Sequence, residues 1–189
     1  MKDITHTVLD FWLGPVDSDG HYLPQKFWFK SSDDFDAEIR DKFLHVHHDA
    51  SMGVYDSLAQ DGDDYLAIVI VLDQFSRNMF RGQSKAFEAD ELALKWAQRA
   101  ISNGYDMGIP APSPRMFFYL PFEHSEDITV QNEAVRLFDA MGHEDYTKYA
   151  VAHQKVIEEF GRFPHRNAVL GRINTKDEEL YLSKPGAGF

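Results

Sequence analysis

The sequence predicts an all-α protein. Three observations carry the prediction: apolar residues recur every three or four positions along most of the chain, helix-capping and helix-stopping residues punctuate it at short intervals, and its one strand-like stretch lacks a partner.

The elements follow in order. Asp3 is placed to cap a first helix that runs to Leu13 and stops at Gly14-Pro15, and "VDSDGHYLPQ" (16–25) reads as a loop. Ser32 is the expected N-cap of a second helix, with Phe35, Ile39, Phe43 and Val46 on its apolar face. A turn at Asp61-Gly62-Asp63 leads to a third element that starts at Asp63 or Asp64. Its β-branched stretch, Leu66 to Leu72, also fits a buried strand ending at Asp73, a place where some phosphatase-like folds put a nucleophile. The only other strand candidate, "MFFYL" (116–120), sits between Pro114 and Pro121, so 64–80 is read as a buried helix.

Ser84 to Ile101 reads as one amphipathic helix with Gly104 just past its end. Pro114 opens a short aromatic helix that Pro121 kinks or ends. Asp127 caps 128–141, and Gly142 stops it. Asp145 or Thr147 leads into 147–160, Pro164 opens a short helix to about Leu170, and Thr175 to Glu178 has capping-box spacing. The result is eight or nine helices joined by short loops in one domain, 1–189.

Composition removes several function classes. The chain has no cysteine, which excludes disulfides and thiolate chemistry, and no apolar run approaches the roughly 20 residues a membrane helix needs. Met1 to Gly14 lacks the pattern of a signal peptide, and the protein is read as cytoplasmic. The net charge is −12, with 14 acids against 5 bases up to Asp64, so a polyanionic partner such as nucleic acid is not expected. No phosphate loop, nucleophile elbow, zinc-protease motif or di-iron motif is present, and the sequence names no cofactor. In "HVHHD", His45 and His48 share a helix face with Asp49; this is read as a solvated face, and no metal ligands are assigned.

Three segments differ from ordinary helix surface. "LDQFSRNMFRG" (72–82) sets Asp73, Arg77 and Arg81 along one helix edge and Gln74 and Asn78 along the next. "YLPFEHSED" (119–127) gathers Glu123, His124, Glu126 and Asp127 after an aromatic helix. "FGRFPHRN" (160–167) begins a stretch to Arg172 with three arginines, one histidine and no carboxylate, in a strongly acidic protein. Together the segments hold five arginines (77, 81, 162, 166, 172) against four carboxylates (73, 123, 126, 127), a local cationic excess suited to a small anion. Each arginine is also suited to pairing with a carboxylate to fix helix against helix, with Asp73, Glu123 and Glu126 as the partners at hand for Arg162 and Arg166.

With "LDFWLGP" (9–15), "FWF" (27–29) and the closing "PGAGF", these segments resemble the bacterial domain-of-unknown-function family 924 along essentially the whole chain. The resemblance implies a TPR-like α-α stack of helix pairs and offers no established activity. Many members have proline where this chain has Ser76, which leaves a proline kink there without its residue.

Two readings follow. In the first, a pocket lined by Arg, His and Glu binds a phosphate- or carboxylate-bearing ligand. Arg77, Arg162 and Arg166 hold the anion, supported by Asp73, Gln74, Asn78, Arg81, Glu126 and Asn167. His165 or His124, tuned by Glu123 or Glu126, supplies hydrolase-type acid/base chemistry, and the N-terminus of the Pro164 helix adds its dipole. In the second, the domain is a TPR-like module that grips a peptide or protein, and the motif residues are helix ties. A third reading puts the functional surface elsewhere. Motifs dense in Phe, Pro and Gly suit a closed site better than an open groove.

Overall fold

A computed structural model describes residues 1–19, 22–28, 30, 32–110 and 112–188. Gly20 and His21 of the expected loop, Phe29 of the "FWF" motif and Phe189 of the closing motif lie outside the described residues. The chain is all-α: among the described residues there is no β-sheet, only one antiparallel bridge between Val16 and Tyr22. The chain divides into two compact units. One comprises Met1–Arg81 and Lys85–Pro121; the other comprises Gly82–Ser84 and the chain from Phe122 onward.

The first unit contains α1 (Lys2–Leu13), α2 (Asp33–Ser51), α3 (Gly62–Ile70), α4 (Ser76–Met79), α5 (Asp90–Ser102), α6 (Tyr105–Gly108) and most of α7 (Ser113–Glu123). Its core is aromatic. The Phe75 ring is 4.8 Å from Phe43, 5.4 Å from Trp12 and 6.1 Å from Phe11, centroid to centroid. Trp28 packs edge-on to Phe117 and donates its indole N–H to the Trp12 carbonyl at 2.8 Å. The described tryptophans of the "LDFWL" and "FWF" motifs are therefore core residues.

The apolar stretch 66–72 is helical, with every residue buried. Asp61 caps it by accepting the Asp64 N–H, so the helix starts at Gly62, one or two residues before the expected Asp63 or Asp64. Between α3 and α4 the helix widens into one π turn, Val71–Phe75, a form often found where a helix must turn a side chain out of register. At its end the Ser76 hydroxyl donates back to the Leu72 carbonyl at 2.6 Å. The register change thus falls at the motif Asp73-Gln74 without a proline.

The amphipathic stretch 84–101 is two elements. Ser84–Phe87 is a 3₁₀ turn, and α5 starts only at Asp90. The break fits Arg77, whose guanidinium forks onto Asp90 at 2.9 and 3.0 Å and lies 5.8 Å from the Phe87 ring centroid. α1 likewise begins at Lys2, with Asp3 in its first turn and not at its cap.

The second unit is a helical hairpin, α8 (Ile128–Met141) and α9 (Glu144–Phe160), followed by α10 (Lys176–Leu182). Asp127 caps α8 through the Thr129 N–H at 2.7 Å, and Gly142 ends it with φ 77°. α9 starts three residues before Thr147, at Glu144. Thr175 and Glu178 complete the expected capping box. Pro164 opens only a three-residue 3₁₀ turn, Pro164–Arg166, so the helix dipole expected there is absent. Phe163 is fully buried with Val156 and Ile157, and Phe160 and Tyr181 pack on that cluster.

Candidate functional site

Each first-unit motif residue is held by a defined partner. Asp73 is buried; its carboxylate meets Arg77 at 3.1 Å and accepts from the Gln74 amide at 2.6 Å. Arg77 joins that carboxylate to Asp90. Asp36, on α2, takes both Arg81, at 2.6 and 3.1 Å, and the Asn78 amide, at 2.7 Å. Burial opposes the charge on Asp36, but these hydrogen bonds outweigh it and hold its carboxyl below the usual range.

In the second unit the motif residues divide into a frame and what it presents. Glu126 accepts the Phe163 N–H at 2.8 Å and binds Arg172 at 2.7 and 2.9 Å, while Arg172 donates to the Phe163 carbonyl at 3.0 Å. One ion pair thus clamps both backbone groups of a fully buried residue. Arg162 forks onto Glu178 at 2.6 and 2.8 Å, and this pairing, aided by the Thr175 N–H, pulls the Glu178 carboxyl down to about 2. Asn167 is buried and bonds Asn174 at 2.8 Å.

These distances correct the expected pairing. Arg162 is matched by Glu178, Glu126 by Arg172, and Glu123 by a histidine. Asp36, Asp90 and Glu178, all outside the three segments, balance arginines that the five-to-four count left in excess.

Inside the frame lies a cluster of imidazoles around Phe163. The His153 ring is 5.7 Å from Phe163 and 6.4 Å from His124, and His165 is 5.6 Å from Phe163, centroid to centroid. The Arg166 guanidinium lies 4.5 Å from the Phe163 ring centroid and donates to the His124 carbonyl at 3.0 Å. His153 Nδ1 is 2.9 Å from the Tyr149 carbonyl and 3.1 Å from the Glu123 carboxylate. Both are acceptors, so Nδ1 carries the proton, leaving Nε2 as the basic nitrogen. Gln131 anchors the turn by donating to the Glu123 and Ser125 carbonyls at 2.6 and 2.7 Å.

Burial holds the His153 and His165 imidazoles neutral. It lowers His153 to about 3. It lowers His165 to about 4, with the Arg166 charge adding to the effect. His124 and His165 are half-buried, so the cluster reaches the surface. The tail closes over one side: a Cβ on Gly188 would stand 3.1 Å from the His165 Cβ, and Gly188 has φ 92°. Gly188→Ala should therefore cost about 1–2 kcal/mol in urea unfolding, from the left-handed backbone alone, and displace the tail from His165. Unchanged stability would show that the tail contact contributes nothing.

The sequence reading placed Glu123, His124, His165 and Arg166, and the structure brings these four together. It missed His153, which is buried on α9 against Phe163 and the Glu123 carboxylate. It also gave no role to Arg40, His47 or Lys85, which line an open cleft of about 910 Å³ in the first unit. Among the described residues no group of three His, Asp or Glu side chains is placed to hold a metal ion, and no helix is long and apolar enough to cross a membrane.

The all-helical fold, with its clamped, aromatic-centred imidazole cluster, defines the class to which the chain belongs. Within that class the chain belongs to a family of bacterial proteins of unknown function, DUF924, whose model matches residues 8–186. It is similar to the solved structure of ATU0120, a protein of unknown function from Agrobacterium tumefaciens. Identity is 36%, the TM-score is 0.86, and the match covers 96% of this chain and 98% of that one. Comparison with curated proteins gives no significant match.

Proposed function

We propose that the protein recognises a small phosphate- or carboxylate-bearing molecule at the Glu123, His124, His153, His165 and Arg166 cluster of its second unit. The observation that carries this reading is the convergence of those side chains, from three separate stretches, on Phe163. Glu126, Arg162, Arg172 and Asn167 are then the frame. Asp73, Gln74, Arg77, Asn78 and Arg81 are helix ties, the role the second sequence reading gave them.

Recognition fits the electrostatics better than hydrolysis. An imidazole with a pKa near 4 is protonated about once in a thousand at pH 7, too rarely for an efficient general acid, and it is a weak base. It is a good hydrogen-bond partner, and a bound anion would draw a proton onto it. A cytoplasmic location suits such a ligand.

Thermal unfolding with a panel of phosphorylated and carboxylated metabolites tests the proposal, with Arg166→Ala and Arg166→Lys alongside. A ligand at 100 times its dissociation constant adds about 2.7 kcal/mol, which should raise the midpoint by roughly 5–10 °C. The shift should vanish in Arg166→Ala and partly return in Arg166→Lys. A panel with no shift, or shifts that survive in a folded Arg166→Ala, would overturn the assignment and favour a protein or peptide partner.

A further inference from the structure

The cleft in the first unit has a floor that ordinary surface lacks. Its walls are the outer face of α2, with Arg40, Leu44 and His48, and the segment from Lys85 to the start of α5, with Glu88 and Leu92. Its volume, about 910 Å³, lies within the range of small-molecule sites. One lining residue, His47, is only 7% exposed.

The hydrogen bonds fix the tautomer of that imidazole. Ser76 Oγ is 2.6 Å from the Leu72 carbonyl, which can only accept, so the hydroxyl proton is committed there. The 2.7 Å contact between Ser76 Oγ and His47 Nε2 must then be an N–H of His47 donating to the hydroxyl oxygen. Burial, with the charges of Lys85 and His48 adding to it, holds the ring neutral at a pKa of about 4. In a neutral ring with its proton on Nε2, Nδ1 is a bare acceptor, and it has no hydrogen-bond partner among the described residues. A nitrogen presented in this way on a cleft-lining side chain calls for a donor from outside.

The charges around it narrow that donor's identity. Lys85 stands 4.4 Å above the Phe80 ring centroid, and His47 packs edge-on to the same ring at 5.5 Å. Arg40 spends its Nε and one Nη on the Met79 carbonyl, which pins the guanidinium at the cleft while leaving other N–H groups for a ligand. Asp41 and Glu88 also line the cleft, while the charges of Lys85 and His48 add to the burial that keeps His47 neutral. Leu44, Ala89 and Leu92 supply an apolar wall for a carbon skeleton.

We propose that this cleft is a second binding site, for a small hydroxylated anion whose hydroxyl donates to His47 Nδ1 and whose anionic group is held by Lys85 and Arg40. Sugar phosphates and polyhydroxy carboxylates share this chemistry. The site is independent of the imidazole cluster in the other unit.

The test is nitrogen-15 NMR of the histidine side chains of the whole protein, titrated to about 10 mM, enough to load a millimolar site. The probes are glucose 6-phosphate and gluconate, with glucose and inorganic phosphate as half-ligand controls. Glucose 6-phosphate, gluconate or both should move the His47 Nδ1 resonance, and whichever does so identifies the anionic group. The controls should move it far less. Lys85→Ala, a change to an exposed side chain that leaves the core intact, should weaken that binding about tenfold or more. Arg166→Ala should leave it unchanged, which separates this site from the imidazole cluster. A His47 resonance that stays still with both probes overturns the proposal. Equal movement with inorganic phosphate overturns its hydroxyl half. Binding that survives in Lys85→Ala but is lost in Arg166→Ala assigns the probe to the other unit and overturns the cleft.

Discussion

Glu126→Ala should destabilise the second unit by about 3 kcal/mol, one of the largest effects expected from any half-buried residue of this chain. The Phe163 N–H loses its acceptor in a residue with no exposed surface, and a buried donor left unpaired costs about 1–3 kcal/mol by itself. Arg172 simultaneously loses both of its bonds to the carboxylate. Glu126→Gln separates the two contributions. Its amide oxygen can still accept from Phe163 while the charge is gone, so about half the loss should return. Urea unfolding followed by far-UV circular dichroism measures both, with the slope unchanged if the denatured state is the same. Equal losses in the two variants would mean that the charge on Arg172 matters and the backbone clamp does not. A loss below 1 kcal/mol in Glu126→Ala would show that the 160–172 segment is held by its other contacts.

That clamp also shows where sequence reasoning stopped. The helices were legible because their signals are local. Ser32, Asp127 and Thr175 each cap the helix they precede, and Phe43 and Val46 repeat with the helical period. The 3₁₀ turn at Ser84–Phe87 was not legible, because its periodicity continues that of α5 and the Arg77 fork onto Asp90 beside the break joins residues thirteen apart. Ion-pair partners are non-local in the same way. Arg81 reaches back 45 residues to Asp36, and nothing in "LDQFSRNMFRG" selects that carboxylate over nearer ones.

Two of the histidines given no role, His47 and His153, illustrate different limits. His47 follows the buried Val46 and lies one turn after the buried Phe43, so the apolar face of α2 could have picked it out of "HVHHD". The argument for a metal drew attention to the exposed His45 and His48 instead. His153 shares the buried face of α9 with Ala150, Val156 and Ile157, but its partners Glu123 and Phe163 lie outside that helix, and spacing alone does not name them. Arg162, Arg166 and Arg172 stood out by composition, yet composition could not say that two of them build the frame while the third faces the imidazoles.

Acid should unfold this protein earlier than its carboxylates require. His47 and His165 are lowered to about 4, and His153 to about 3, all by burial first. In the unfolded chain each returns to about 6.5 and takes a proton as the pH falls below that. A depressed folded pKa contributes stability that is complete above about 6.5 and is lost as the pH drops toward the folded value. Near pH 5, unfolding then binds close to one proton per histidine, so stability should fall by up to about 4 kcal/mol per pH unit. Glu178 acts in a separate window, since its depressed carboxyl matters only below about 4.5. Urea unfolding at pH 7, 6 and 5 measures the slope. His153→Gln should remove about one proton from it. The three tryptophans, Trp12, Trp28 and Trp96, all lie in the first unit, where His47 is the single contributor of the three. If the units unfold separately, tryptophan fluorescence should therefore report the shallower pH dependence and far-UV circular dichroism the steeper one. Flat stability between pH 7 and 5 would mean that these rings take up protons in the folded protein as readily as in the unfolded chain. The argument for recognition over acid catalysis at the imidazole cluster would then be lost.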